Sequence, residues 1–233
     1  MSIRAIVFDF DGTLAELVID FERMRRSIAA LGEAFLGERP ESNGQPVLEW
    51  LDELVDEVGA FDADLGRQLR TRGLLTITAM ELDAAAQGRL FEFTRPVLAG
   101  LRARGLATAI VTRNCTAAVR RVFPDVAACC DVFLPREDAP RVKPDPAHLL
   151  LALERLGVAP EQALMVGDHP LDVETARRAG TLAGAVASGR IGLEELSLAA
   201  PDFAAEDCPE LLRQLGLFGA GGRAAIANPG ENG

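Results

Sequence analysis

The sequence predicts an α/β protein: a doubly wound parallel sheet with an α-helical domain inserted after its first strand. Three observations carry that expectation. A short apolar run, Ala5–Phe8, ends in Asp9-Phe10-Asp11-Gly12-Thr13, and a continuous run of β-formers this short reads as a buried strand. Apolar residues then recur at helical spacing from about residue 20 to residue 93, with no strand among them. From Pro96 onward, strand-length apolar runs alternate with helical patterns, the mark of βα units and a parallel sheet.

The helical insert reads as three segments: Phe21, Met24, Ile28, Leu31 and Phe35; then Leu48, Leu51, Leu54, Val55 and Val58; then Met80, Leu82 and Leu90. Pro40-Glu41-Ser42-Asn43-Gly44 is a loop between the first two. Next come a helix over Val97–Arg104, a strand over Ala107–Val111, a helix over Thr116–Phe123 and a short strand at Val132–Leu134. A helix over Asp145–Leu156 stops at Gly157 and leads to a strand over Ala163–Val166. Leu171–Ala179 is a helix stopped by Gly180, and Leu182–Ala187 a strand. A weak strand near Phe203 and a helix over Pro209–Leu215 close the domain. The division expected is a sheet domain of residues 1–14 and 95–218, a helical domain of 15–94, and a Gly/Ala/Asn-rich disordered tail of 219–233. No internal repeats are present.

Composition narrows the function. A chain of 233 residues, 48% hydrophobic and 25% charged, has the make-up of an ordinary soluble globular protein. No apolar stretch approaches the roughly 18–20 residues that span a bilayer, and no secretory signal pattern opens the chain; a cytoplasmic location without membrane association is expected. A net charge of −11 argues against general nucleic-acid binding, which needs a basic surface. It leaves room for an anionic substrate where a cation reverses the potential of one cleft. Cys115, Cys129, Cys130 and Cys208 lack metal-ligand spacing. Cys129-Cys130 reads as a pair of small buried hydrophobes.

The 24 basic residues comprise 23 arginines and one lysine, Lys143. Arginine has replaced lysine almost everywhere, the pattern left by a nucleotide-composition bias. A lysine that survives marks a position where a compact ammonium works and a planar guanidinium does not.

Four segments sit at the ends of expected strands or before helices, where open α/β sheets bind ligands. Asp9 and Asp11, two apart, can serve one site, and adjacent carboxylates call for a cation such as Mg²⁺. Thr112-Arg113-Asn114 follows the second long strand, offering a hydroxyl and free backbone N–H groups for a phosphate. Lys143 is presented in Arg141-Val142-Lys143-Pro144-Asp145-Pro146, a loop stiffened by two prolines. Gly167-Asp168-His169-Pro170, with Asp172 close behind, ends the strand over Ala163–Val166. Each segment alone also fits a plain structural role: an Asp-Gly turn, a Thr or Asn helix cap, a capping Asp168 or a solvated first-turn Asp172. Their occurrence together and in order carries the functional reading.

Taken as a set, Asp9–Thr13, Thr112, Lys143 and Gly167–Asp172 resemble the four signatures of the haloacid dehalogenase superfamily. The resemblance covers residues 1–14 and 95–218, and residues 15–94 are similar to that family's helical cap. It implies a Rossmann-like core and a Mg²⁺-dependent phosphoryl-transfer site. Asp9 is then the nucleophile that forms an aspartyl-phosphate, and Asp11 the general acid and base. Thr112 and Lys143 are implied in catalysis, and Thr112, Arg113, Asn114 and Lys143 in binding the phosphoryl substrate. The metal falls to Asp9, the main-chain carbonyl of Asp11, and Asp168. Asp172 supports Lys143 or a metal-bound water, and His169 carries no expected chemistry. The dehalogenases of the superfamily lack an aspartate at the position of Asp11, so hydrolysis of a small phosphorylated metabolite is expected, with phosphoglycolate phosphatases the most similar group. The alternatives are a β-phosphoglucomutase-like phosphotransferase and an inactive phospho-ligand binding protein. Arg23, Arg25, Arg26 and Arg72 are cap candidates for gripping a small carboxylate, although a solvated helix face explains them equally well. A monomer and a homodimer are both compatible with the sequence.

Overall fold

Ala5–Phe8 forms strand β1, and all four residues are buried. That burial accounts for the unbroken apolar run, since a strand covered on both faces shows no alternation. The computed structural model describes residues 2–218. After β1 come β2 (Ala15–Glu16), α1 (Phe21–Leu36), α2 (Val47–Phe61), α3 (Ala63–Ala85), β3 (Arg89–Leu90) and α4 (Thr94–Ala103). Then follow β4 (Ala107–Val111), α5 (Thr116–Val122), α6 (Val126–Cys129), β5 (Val132–Leu134), α7 (Pro146–Leu156) and β6 (Ala163–Gly167). The described chain ends with α8 (Pro170–Ala179), β7 (Leu182–Val186), α9 (Leu193–Ser197), β8 (Phe203–Ala205) and α10 (Cys208–Gln214). The tail expected at 219–233 lies outside the described residues.

The chain divides into two compact units. Among the described residues, one holds 2–16, Arg89–Thr116 and 123–218; the other holds Leu17–Gly88 together with Ala117–Val122. In the first, six strands pair in the order β5-β4-β1-β6-β7-β8, and every pairing is parallel. The expected doubly wound α/β sheet is therefore present. β1 sits between β4 and β6, with Ala5 opposite both Ala107 and Ala163. Chain connections leave β1 in opposite directions, so a crevice opens at its carboxyl end.

Side-chain alternation sorts the helices to the two faces. Ala5, Val7, Ala109, Val111, Met165 and Ala183 pack with Leu149, Leu153, Val173 and Ala176 of α7 and α8. On the other face, Gly184 meets Leu211 of α10.

The second unit is a three-helix arrangement around Ile28, Trp50, Leu51, Leu54, Val58, Leu69 and Ile77. Asp20 caps α1 by accepting from the Arg23 N–H at 2.8 Å. Asp62 alone joins α2 to α3, and its carboxylate accepts from the Asp64 and Leu65 N–H groups. Such caps satisfy donors that the first helical turn leaves open.

Three sequence expectations need correction. Arg89–Leu90 is a strand, paired antiparallel with Ala15–Glu16, so the third helix ends at Ala85 and Leu90 is not part of it. A two-residue strand is too short to show alternation. Short helices α6 and α9 were also invisible to periodicity, being barely a turn long. Cys129 is half-buried rather than a core hydrophobe; its thiol lies 3.7 Å from the Asp125 carboxylate and 3.6 Å from the Arg95 guanidinium.

Leu69 of α3 is fully buried, so Leu69→Ala removes the branched end of a side chain from a closed cluster. Loss of about 2–5 kcal/mol is expected, read as a lower urea midpoint for the transition of the helical unit.

Candidate active site

The parallel ladder continues one residue past β1, where the Asp9 N–H donates to the Val166 carbonyl at 2.8 Å. Phe10 then turns inward and is fully buried, and its carbonyl accepts from the Leu14 and Ala15 N–H groups. This tight turn throws Asp9 and Asp11 out at the carboxyl edge of the sheet. Gly12 has φ of +77°, and a Cβ there would run into the Asp168 carboxylate. Gly189, in the loop after β7, crowds the same carboxylate in the same way. Side chains are thus excluded from two sides of Asp168. Ser188 ties that loop in place by donating to the Gly12 carbonyl at 2.7 Å.

Lys143 is only 1% exposed and lies between two carboxylates. Its Nζ is 2.9 Å from Asp9 Oδ1 and 2.6 Å from Asp172 Oδ1. Burial opposes the ammonium, but the charges of Asp172 and Asp9 hold its pKa above the ordinary lysine value. The other Asp172 oxygen accepts from the His169 N–H at 3.2 Å. His169 proves to be the N-cap of α8, its Nδ1 accepting from the Leu171 N–H at 3.1 Å. Asp172 therefore completes a reciprocal cap while gripping Lys143, and neither solvated-acid nor Asp168-cap readings apply. The Lys143–Pro144 peptide bond is cis.

Asp9, Asp168 and Asp172 offer oxygens that all lie within 4.8 Å of one another. Burial pushes Asp9 up to about 6, with the Lys143 charge pulling downward and Asp172 adding to the rise. Burial together with the charges of Asp9 and Asp172 pushes Asp168 up to about 8. Thr13 Oγ1 donates to Asp168 Oδ1 at 3.3 Å. One buried ammonium among three close carboxylates leaves an excess of negative charge, and the donors are all hard oxygens. A small divalent cation fits that set.

Asp11 stands apart from this cluster. Thr112 Oγ1 donates to its Oδ2 at 3.3 Å, and Asn114 Nδ2 donates to its Oδ1 at 2.9 Å. The structure thus brings Thr112 and Asn114 to Asp11, while Arg113 Nη1 donates to the Lys143 carbonyl. Sequence reasoning missed three supports: Thr13 on Asp168, Ser188 on Gly12, and Arg136, whose guanidinium donates to the Arg113 carbonyl at 3.0 Å. Thr13 lies inside the first motif and was readable there; Ser188 and Arg136 act on distant backbone and leave no local pattern. His148, buried at the start of α7, is pushed down to about 3 by burial and by the Lys143 charge, and remains neutral.

The arginines singled out in the insert divide. Arg25 and Arg26 line a cleft of about 590 Å³ within the helical unit, together with Glu22, Arg39 and Trp50. Arg25 pairs with Glu22 at 2.8 Å. Arg72 instead lies over the Phe35 ring, 5.5 Å from its centroid, and Arg23 is exposed.

The raised carboxylate pKa values have a consequence for stability. Between the ordinary carboxylate range and about 8, the folded metal-free protein binds more protons at Asp9 and Asp168 than the unfolded chain does. Stability therefore falls as pH rises through that window. A chelated sample is expected to show a urea midpoint that declines from pH 5 to about pH 8, and Mg²⁺ is expected to flatten the decline by replacing the protons. Equal slopes with and without the metal would contradict the assignment.

Comparison with known proteins agrees with this geometry. A family model described as haloacid dehalogenase-like hydrolase matches residues 3–180. The phosphoglycolate phosphatase of Escherichia coli (strain K12) is 28% identical over 241 residues, covering 92% of this chain and 93% of the relative. That of Salmonella typhimurium is 29% identical over 236 residues, covering 93% and 94%. Among solved structures, a hydrolase from Pseudomonas syringae superimposes with a TM-score of 0.66 at 22% identity, covering 91% of this chain and 98% of the other; a likeness at that identity speaks for the fold. The family match spans β1 through α8 and so includes every side chain of the cluster: the chain belongs to the haloacid dehalogenase-like hydrolases.

Proposed function

We propose that this chain is a Mg²⁺-dependent phosphatase that hydrolyses a small phosphomonoester metabolite through an aspartyl-phosphate on Asp9. The observation that carries the reading is the buried Lys143 ammonium on Asp9 Oδ1. It keeps a carboxylate available as a nucleophile in a dry setting. The relatives named phosphoglycolate phosphatase make a phosphoglycolate-like ester the favoured substrate. All four cysteines are free thiols, which supports a reducing, cytoplasmic setting.

Asp9 and Asp168, with the Asp11 main-chain carbonyl, would hold the metal, leaving Asp172 to Lys143. When bound, the cation supplies charge neutralisation to the phosphoryl oxygens. An Asp9 oxygen attacks phosphorus as the ester P–O bond breaks. Asp11 gives its proton to the departing alkoxide and then takes one from the water that releases phosphate. Lys143 balances negative charge on Asp9 and on the phosphoryl group. Thr112 and the N–H groups of its loop orient the phosphoryl oxygens.

Asp9→Asn keeps the side-chain volume and removes the nucleophile. Turnover of every phosphorylated compound in a panel spanning phosphoglycolate, sugar phosphates, nucleotides and pyrophosphate is expected to vanish, with the circular dichroism spectrum unchanged. Retained turnover would remove Asp9 from this role. Lys143→Arg is expected to be as damaging, because a planar fork cannot occupy a pocket with 1% exposure between two carboxylates.

A further inference from the structure

Asn114 follows Thr112 by two residues and was expected to bind substrate. Its surroundings assign it elsewhere. The residue is 2% exposed, and each of its polar groups is engaged. Its backbone N–H donates to Thr112 Oγ1 at 3.0 Å, and its carbonyl accepts from the Arg136 N–H at 3.1 Å. Its side-chain Oδ1 accepts from the Cys115 N–H at 2.8 Å. With Oδ1 pinned, the amide plane is set, and Nδ2 is left pointing at Asp11 Oδ1, 2.9 Å away. The Thr112 bond to the other oxygen is longer, 3.3 Å, and that hydroxyl is wanted by the phosphoryl group.

We propose that Asn114 is a positioning residue that orients Asp11 for proton transfer, rather than a ligand of the substrate. This rests on the reading of Asp11 as general acid and base. An amide N–H can only donate, so Nδ2 at 2.9 Å favours Oδ1 as the bare oxygen, while the Thr112 hydroxyl beside Oδ2 can turn to accept, which favours the acid proton on Oδ2. The proton then leaves from Oδ2 to the alkoxide oxygen as the P–O bond breaks, and returns to Oδ2 from the attacking water. Proton transfer is sensitive to orientation, and Asp11 follows the turn at Phe10 and precedes a left-handed glycine, a stretch whose side chains need outside support.

The test separates proton delivery from everything else the loop does. Asn114→Ala removes the donor and its acceptor; Asn114→Asp keeps an acceptor for the Cys115 N–H, which preserves the loop, and sets a carboxyl against Asp11 Oδ1 in place of the amide donor. Each is assayed with p-nitrophenyl phosphate, whose phenolate departs without a proton, and with an alkyl phosphomonoester, whose alkoxide requires one. The quantity read is kcat/KM, which reports the first irreversible step. Both variants are expected to lose about tenfold or more on the alkyl ester beyond any loss on the aryl ester, with competitive inhibition by inorganic phosphate unchanged. Asp11→Ala is measured alongside. If Asp11→Ala shows no difference between the esters, the acid/base reading itself falls. If Asp11→Ala shows the difference while Asn114→Asp loses equally on both esters, or loses nothing, the Asn114 proposal is overturned and that reading stands.

Discussion

An ammonium buried between two carboxylates is the constraint around which the rest of the site is arranged. Lys143 Nζ lies within 3 Å of both Asp9 and Asp172, with almost no exposure. An unpaired ion in that position would cost several kcal/mol, so the three residues must be brought together or not buried at all. They come from the end of β1, the loop before α7 and the first turn of α8. The sheet order supplies the convergence, because β1 lies directly between β4 and β6. Asp172 is fixed further by the cap it shares with His169. Helix start and charge pair are therefore one structure.

Two aspartates only two residues apart are given unlike surroundings. Asp9 faces a cation and two further carboxylates in a largely buried pocket. Asp11 accepts from the Thr112 hydroxyl and the Asn114 amide. Separation of environment is how two like groups come to hold different tasks. In the proposed mechanism the ammonium beside Asp9 favours its ionised form, and the donors on Asp11 orient its carboxyl. The turn at Phe10 and the left-handed Gly12 achieve this by sending the two side chains to different walls of one crevice.

Local patterns made much of this legible. The parallel sheet showed in continuous apolar runs separated by helical periodicity, and the helix ends showed at Gly157 and Gly180, both left-handed in the structure. Lys143 stood out because arginine occupies every other basic position, and its burial supplies the physical reason that a guanidinium could not replace it. Three short elements were not legible: β3 has two residues, and α6 and α9, with four and five, span little more than one helical turn, too few for a repeat to show. His169 looked inert because capping depends on the side chain's direction, which the sequence does not carry. Cys129 looked apolar by its neighbours, yet lies against Asp125 and Arg95.

By itself, the sequence determined the residue types that can do phosphoryl-transfer chemistry, their order, and their placement at strand ends. Those follow from periodicity and short motifs, which are properties of neighbours along the chain. The tertiary structure alone decided which atoms meet. It took Asp172 to Lys143, Thr13 to Asp168 and Asn114 to Asp11, pairs separated by 29, 155 and 103 residues. Such partnerships are set by strand order and by the exclusion of water, and no local pattern encodes either.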